Sequence, residues 1–233
     1  MRKFLYTLLF LTVSVTSFAD TEKFEGFTIE FSGGYQNTES SGGTPKVDGV
    51  RFPNIKNFGF DDEDIIYEIG GSYNFATSDK FLLGLGFDYI VNDIKIGRST
   101  IIATIPGGVL ANWNEHKLKD VQSIYIKPQL VINENQLIYG KLGYVNADLS
   151  IVKGGAEYVS SSDKTINGYI IGAGYKMILN QSVFGFAEVN YTDFDKDFTK
   201  FNGQPCCEGP AFTHSDPVNI SSYAIKFGLG YQF

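Results

Sequence analysis

The last eleven residues, Tyr223-Ala-Ile-Lys-Phe-Gly-Leu-Gly-Tyr-Gln-Phe233, alternate without a break. Tyr223, Ile225, Phe227, Leu229, Tyr231 and Phe233 are apolar or aromatic, while Ala224, Lys226, Gly228, Gly230 and Gln232 are small or polar. Successive side chains of a β-strand point to opposite faces, so one face here is apolar and the other wet or narrow. A strand half-buried in a soluble sandwich would share the pattern, but one that ends on its aromatic face is unusual. Tyr223 and Tyr231 are eight residues apart. Along a tilted strand that spacing covers about 20–25 Å, close to the apolar band of a membrane barrel with an aromatic at each rim.

Residues 1–19 read as a targeting segment. Arg2 and Lys3 give the charged start, Phe4 to Val15 the apolar run, and Ser17-Phe18-Ala19 the small residues before a cut at Asp20. The run is too short for a spanning helix, so residues 20–233 are expected to form one domain. Loss of Arg2 and Lys3 takes the formal charge from −7 to −9, which disfavours nucleic acid as a partner. No later stretch holds 18 consecutive apolar residues, but barrel strands escape that test because each is only half apolar.

The alternation recurs upstream. Strands are predicted over Phe24–Tyr35, Tyr67–Phe75, Phe81–Tyr89, Val121–Ile132, Ile138–Tyr144, Tyr169–Lys176 and Val183–Thr192, with Tyr223–Phe233 as the eighth. Their connections run long, short, long, short, long, short, long. That order puts both termini and the three short turns on one side, the plan of an up-and-down transmembrane β-barrel with four long external loops. Pro128, on the apolar face of the fourth strand, predicts a bulge or disturbed register there. The eight-residue aromatic spacing recurs at Phe27 and Tyr35, Tyr67 and Phe75, and Phe81 and Tyr89.

The polar faces decide between a membrane barrel and a soluble lipocalin-type barrel. They carry Glu30, Glu68, Asp88, Lys127, Lys141, Lys176, Glu188 and Lys226 among many glycines. Four acids balanced by four bases, spaced by glycine, suit the filled interior of an eight-stranded barrel better than a soluble exterior. Gly84-Leu-Gly86 and Gly172-Ala-Gly174 look like dinucleotide-loop fragments but alternate as strand, so they read as small lumen residues. A salt-linked filling is expected rather than an ion path.

On these residues the chain resembles the small outer-membrane β-barrels of the OmpA, OmpX and opacity-protein type. The specific pieces are the targeting segment, Gly140-Lys-Leu-Gly-Tyr144, Gly172-Ala-Gly-Tyr175, Phe186-Ala-Glu-Val-Asn-Tyr191 and Tyr231-Gln-Phe233. The resemblance implies an outer-membrane location among lipid and lipopolysaccharide. It also implies that Tyr231 and Phe233 form the signal read by the outer-membrane assembly machinery. The functions it implies range over adhesion, surface shielding and small pores.

Other candidates are weaker. Adjacent Cys206 and Cys207 could close only a strained vicinal disulfide, or remain free or bond another chain. His116 and His214 lie in separate connections without a recognisable catalytic motif, so no enzyme activity, metal or cofactor is expected. Asp61–Asp64 and the trio Asp193, Asp195 and Asp197 read as solvated acidic faces. Ile101, Ile102, Ile105, Val109, Leu110 and Trp113 form an apolar patch in the second long connection, either a loop mini-core or a contact surface for a host or other extracellular ligand. The expected function is a monomeric surface-interaction or shielding barrel, with a narrow channel and a rim-located lipid-modifying enzyme as alternatives.

Overall fold

The computed structural model describes residues 21–42, 46–47, 50–51, 60–105, 108–154, 159–195, 197–203 and 212–233. A 3-10 turn at Thr21–Phe24 precedes twelve strands among them. These are β1 Gly26–Gly42, β2 Lys46–Val47, β3 Val50–Arg51, β4 Phe60–Ser78, β5 Phe81–Ile90 and β6 Ile94–Ile105. They continue with β7 Gly108–Asn133, β8 Gln136–Gly154, β9 Val159–Ile178, β10 Val183–Phe194, β11 Asp197–Gly203 and β12 Phe212–Gln232. Eight of the twelve form a closed antiparallel ring in the order β1, β4, β5, β7, β8, β9, β10, β12, and β12 pairs back onto β1. The closing seam runs from Thr28 opposite Gln232 to Gly42 opposite Val218. Closure pairs each stave's backbone on both sides, which a strand in lipid requires.

Alternation gives each stave one outer and one inner face. Phe27, Ile29, Phe31 and Tyr35 of β1 are exposed, while Thr28, Glu30, Ser32 and Gln36 between them are buried. The same holds on β12, where Tyr223, Ile225, Phe227, Leu229 and Tyr231 face out and Ala224 and Lys226 face in. The polar side is thus the inside, the reverse of a soluble barrel.

The long connections differ from the loops expected. The second, about Asn92 to Asp120, is mostly a hairpin in which β6 pairs with the upper half of β7, from Ile94 opposite Leu118 to Ile105 opposite Gly108. The third, about Asn146 to Ile166, is taken up by β8 and β9, which stay paired up to Gly154 opposite Val159. In the fourth, β11 pairs with the early part of β12. The physical reason lies on β8. Tyr139, Lys141, Val145, Ala147, Leu149 and Ile151 share one face and all are buried. Below Tyr144 the outward face of this strand is apolar, as with Ile138 and Leu142, and Leu137 and Tyr139 fill the lumen beside charged Lys141; above it the apolar residues Val145, Ala147, Leu149 and Ile151 point inward. The alternation continues, but its polarity reverses where lipid gives way to water.

Two smaller expectations also change. Phe24 is not the first residue of a strand but the end of the 3-10 turn, and it is buried. Gly26 then turns the chain into β1 with φ of +113°, and a Cβ there would come within 2.9 Å of the Phe233 carbonyl oxygen. At Pro128 the register does not shift: Ile126 opposite Leu142 and Gln129 opposite Tyr139 belong to one register. Only the rungs between them, at Lys127 and Pro128, are missing on the β8 side, while Leu83 of β5 still pairs with Pro128. Proline's missing N–H accounts for that loss. The register shifts between β7 and β8 lie to either side, between Lys119 and Gln122, where Asp120 has φ of 49°, and between Val131 and Asn133 next to the short turn.

Residues 1–19, Cys206 and Cys207 lie outside the described residues. Of the apolar patch in the second connection, Ile101, Ile102 and Ile105 fall on β6 and Val109, Leu110 and Trp113 on β7. The contacts of these six side chains are not among those described.

Candidate functional site

Two features of the ring could carry function: the lumen, and the outer belt with the strands that rise above it. The lumen is stacked in three layers. At the short-turn end, Phe24, Leu82, Val131, Leu137 and Tyr139 form a buried apolar cluster, with Ile178 packed against it. At the opposite end a larger cluster gathers Ile66, Ile90, Ile94, Ile96, Leu118 and Val121 with apolar residues of β8, β9, β10 and β12, including Leu149, Ile166, Phe194 and Ile220. Between them lies a band of charge.

All eight charged residues singled out from the sequence are buried in this band. Glu188 is its hub. Its carboxylate accepts from Lys141 at 3.0 Å, Lys226 at 2.9 Å, the Tyr139 hydroxyl at 2.9 Å and the Asn190 amide at 2.8 Å. Lys226 also donates to Glu68 at 2.5 Å, and Lys141 to Asp88, which accepts from the Tyr125 hydroxyl at 2.9 Å as well. Nearer the short turns, Glu30 sits between Lys127 at 3.3 Å and Lys176 at 3.4 Å. The Lys127 ammonium lies 4.8 Å from the centroid of the Tyr139 ring, and that of Lys176 lies 3.8 Å from Phe184. Taking four acids and four bases out of water is costly unless each finds partners, and here each does.

The glycines make this filling possible. Gly86 lies opposite Tyr125, Gly174 opposite Tyr139, Gly228 opposite Phe186 and Gly230 opposite Phe184. A Cβ built on any of the four would meet the opposing ring first. Each aromatic therefore lies across the wall of its neighbouring strand. The inward rings of Tyr125, Phe184 and Phe186 are lumen residues that the sequence pattern alone did not single out. Their signal was the glycine directly opposite, which is visible only once the register is known.

Glu68, Asp88 and Glu188 bring one carboxylate oxygen each within 4.8 Å of one another. Such a trio could hold a cation, but the Lys141 and Lys226 ammonium groups already sit among the three acids. Chemically it is an ion-pair hub. Above it a cavity of about 30 Å³, lined by Glu68, Asp88, Asn190, Lys226 and apolar residues of the upper cluster, has room for about one or two waters. His116 stands on β7 opposite Gly97, and His214 on β12 opposite Phe201 and Val47.

The outer belt is bounded by aromatics. Tyr35, Tyr67, Tyr144, Tyr169 and Tyr223 are exposed toward the long connections. Phe27, Tyr73, Phe75, Phe81, Tyr231 and Phe233 are exposed toward the short turns. Upper-rim hydroxyls meet acids: Tyr89 donates to Asp120 at 2.8 Å and Tyr169 to Asp193 at 2.9 Å. Asp61 accepts from the Asn37 amide at 2.6 Å, so two of the acidic stretches act as rim acceptors. At the other rim Phe233 donates its N–H to the Phe27 carbonyl at 2.9 Å, and the two rings lie 5.8 Å apart. An apolar belt between two aromatic girdles is the outer surface of a membrane barrel.

Comparison with known proteins agrees with this geometry. OprG, an outer membrane protein of Pseudomonas aeruginosa, is similar in structure at 19% identity, with 90% of this chain and 96% of that chain covered and a TM-score of 0.50. Ail, the attachment invasion locus protein of Yersinia pestis, solved with the heparin analogue sucrose octasulfate, gives 16% identity, 90% and 99% coverage and a TM-score of 0.42. Neisserial surface protein A gives 12%, 90% and 98%, and 0.43. No curated protein sequence matches the chain. Residues 5–233 match the outer membrane protein beta-barrel domain, and the chain belongs to that family.

Proposed function

We propose that this protein is a closed surface barrel: a sealed, monomeric anchor in the outer membrane that holds β-hairpins outside the cell as a binding or shielding surface. The observation that carries this reading is the three-layered lumen. A solute crossing it would have to displace the cluster around Phe24, break the ion pairs around Glu188 and Glu30, and then pass the cluster around Leu118 and Leu149. An eight-stranded ring leaves little room around such a filling. The seam between β1 and β12 completes the wall within one chain, so no second copy is needed for closure.

The extended hairpins are the other half of the reading. β6, β7, β8 and β9 rise beyond the tyrosine girdle as one paired sheet, with a buried apolar interior to stiffen it. Paired hairpins present a surface to an extracellular ligand, and the apolar residues singled out on β6 and β7, Ile101 to Trp113, are its candidate contact. No catalytic role is assigned to His116 or His214, which stand on different strands.

Purified protein in planar bilayers tests the seal. The expected trace is flat, and stable discrete conductance would overturn the closed reading in favour of a narrow channel. Deletion of residues 101–113 tests the surface role: loss of cell binding by a variant that remains folded supports it, and unchanged binding counts against it. A mass shift in lipid A on expression, abolished by changing His116 or His214, would favour an enzyme instead.

A further inference from the structure

Lys95 and Arg98 are three residues apart, a spacing that puts two side chains on opposite faces of a regular strand. On β6 they share the outer face. The register slips by one residue between Lys95 and Gly97, so that Lys95 pairs with Lys117 and Arg98 with Glu115. Gly97 takes φ of +141° at this bulge, and the extra residue, Ile96, turns into the upper apolar cluster. Bulges re-aim side chains, and here two cations are brought to the outside together. Lys117 and Lys119 flank the buried Leu118 on β7 and point the same way.

Pairing Lys95 directly with Lys117 sets two like charges on Cβ atoms about 5 Å apart, which destabilises a sheet. Glu115 offsets part of that cost. It accepts from Lys117 at 2.9 Å, and that bond, with the charges of Arg98 and Lys95 beyond it, holds the Glu115 carboxyl below its usual range. Between Lys119 and Arg98, one carboxylate thus stands among four cations. The acids along the lower edge are held by hydroxyls: Asp120 accepts from Tyr89 at 2.8 Å and Asp148 from Thr165 at 2.7 Å. Lys119, opposite Asp148, makes no ion pair among the described residues. Elsewhere at this level the collar is acidic, with Glu39 on the outer face of β1, Asp61 and Glu63 on that of β4 and Asp193 on that of β10.

We infer that this basic patch on β6 and β7 binds the phosphate groups of one lipopolysaccharide molecule. Its height argues for a lipid rather than a soluble polyanion. Gln122, the register partner of Tyr89, marks the upper girdle on β7. Lys119 and Lys117 stand about 5–10 Å above it along the membrane normal, one residue being taken up by the bulge at Asp120. The polar layer of a leaflet is about 5–8 Å deep, so the patch begins within it and faces sideways toward neighbouring lipids. A phosphate between Lys95 and Lys117 replaces their repulsion with two charge-assisted contacts. The acids on the other staves repel the same group, so the contact is one-sided: the barrel holds the molecule at β6 and β7 and not evenly around its rim. It does not depend on what the hairpin tips bind.

The test uses the full mature chain folded in uncharged detergent micelles with bisphosphorylated lipid A and a chelator, and counts bound molecules by native mass spectrometry. One lipid A per barrel is expected, with dephosphorylated lipid A bound far more weakly. Lys95→Gln with Lys119→Gln is expected to lower affinity for the phosphorylated form about 30-fold. A persisting heat-modifiable gel band shows that the variant is folded, and Lys119→Gln alone serves if the pair fails to fold. Asp61→Asn with Glu63→Gln, on the acidic side, should leave binding no weaker. Equal binding of the dephosphorylated lipid, or unchanged affinity in the double lysine variant, would overturn the proposal. So would loss of binding to the chelator, which would move the contact to metal-bridged carboxylates. Displacement by an equal concentration of soluble tripolyphosphate would overturn it too, by making the partner a soluble polyanion.

Discussion

Glu188 and Lys226 face each other across the seam between β10 and β12, and their charged ends lie 2.9 Å apart in the lumen. They are direct register partners, so the contact follows from strand pairing alone. Lys226 then reaches on to Glu68 at 2.5 Å, two strands away on β4, passing over Gly34 of the intervening β1.

That second contact gives the first prediction. Lys226→Met leaves the buried Glu68 carboxylate without its ammonium partner. Loss of one member of a buried pair costs about 3–5 kcal/mol, whereas an apolar replacement of both is often close to neutral. The double variant Glu68→Leu with Lys226→Met is therefore expected to lie nearer the parent than Lys226→Met does. Denaturant unfolding in lipid vesicles reads the difference, and a double variant as unstable as the sum of its singles would show that Glu68 and Lys226 act independently rather than as a pair.

The wall glycines can be tested by size. Gly174→Ala places a methyl against the Tyr139 ring and hydroxyl, and overpacking of this kind costs about 1–3 kcal/mol. Combined with Tyr139→Leu, the same methyl should cost almost nothing beyond the loss of the tyrosine. Equal penalties for Gly174→Ala in both backgrounds would mean that the glycine is needed for its backbone and not for the ring.

Much of this arrangement was legible in the sequence, and particular residues show why. Alternation placed Glu30, Lys141, Glu188 and Lys226 on the face opposite Phe31, Leu142, Val189 and Phe227, because strand geometry fixes parity without any tertiary information. Neighbouring staves are also close to fixed, so Glu188 could be named beside Lys226. Glu30, on the other neighbour of β12, pairs instead with Lys127 and Lys176, because pairing across the lumen depends on depth and tilt that no local pattern encodes. The rising hairpins were read as loops for a related reason. Ala147, Leu149 and Ile151 alternate as regularly as the strand below them, but with apolar residues on the inner face. A pattern read for an apolar outside ends where the solvent changes, even though the strand does not. Phe24 was assigned to a strand because a buried aromatic and a lipid-facing one look alike until the turn at Gly26 is known.

The same reversal predicts how charge is tolerated along β8. Leu142 faces outward within the belt and Asp148 faces outward six residues on, above the girdle. Arginine at a lipid-facing position costs about 2–4 kcal/mol at mid-depth and little near or beyond the interface. Leu142→Arg should therefore slow or weaken folding into vesicles, while Asp148→Arg leaves it unchanged apart from the loss of the Thr165 hydroxyl contact at 2.7 Å. Equal effects at the two positions would place the membrane boundary elsewhere on the strand.

Phe24 separates a cork from a core residue. It is wholly buried in the short-turn cluster with Leu82, Val131 and Leu137, so Phe24→Ala should cost about 3–5 kcal/mol. The ion-paired band and the upper cluster remain above it, and bilayers containing the variant should stay silent. Conductance from this single change would mean that the turn at Thr21–Phe24 alone closes the barrel.

Phe233 makes the last case, because its packing and its proposed signalling role can be separated. Its ring is 70% exposed, touching Phe27 and Tyr231 at centroid distances of 5.8 and 4.9 Å, while its N–H bonds the Phe27 carbonyl. Deletion removes one girdle ring and one hydrogen bond at the end of a stave, so it should shift unfolding of the isolated barrel by only about 1–3 kcal/mol. If the outer-membrane assembly machinery reads the terminal aromatic together with Tyr231, the same deletion should sharply lower the amount of folded protein reaching the surface of intact cells. Surface labelling of cells measures one quantity and refolding of purified protein the other. Normal surface levels would remove the assembly role from Phe233, and an equal defect in both measurements would make the residue a structural one.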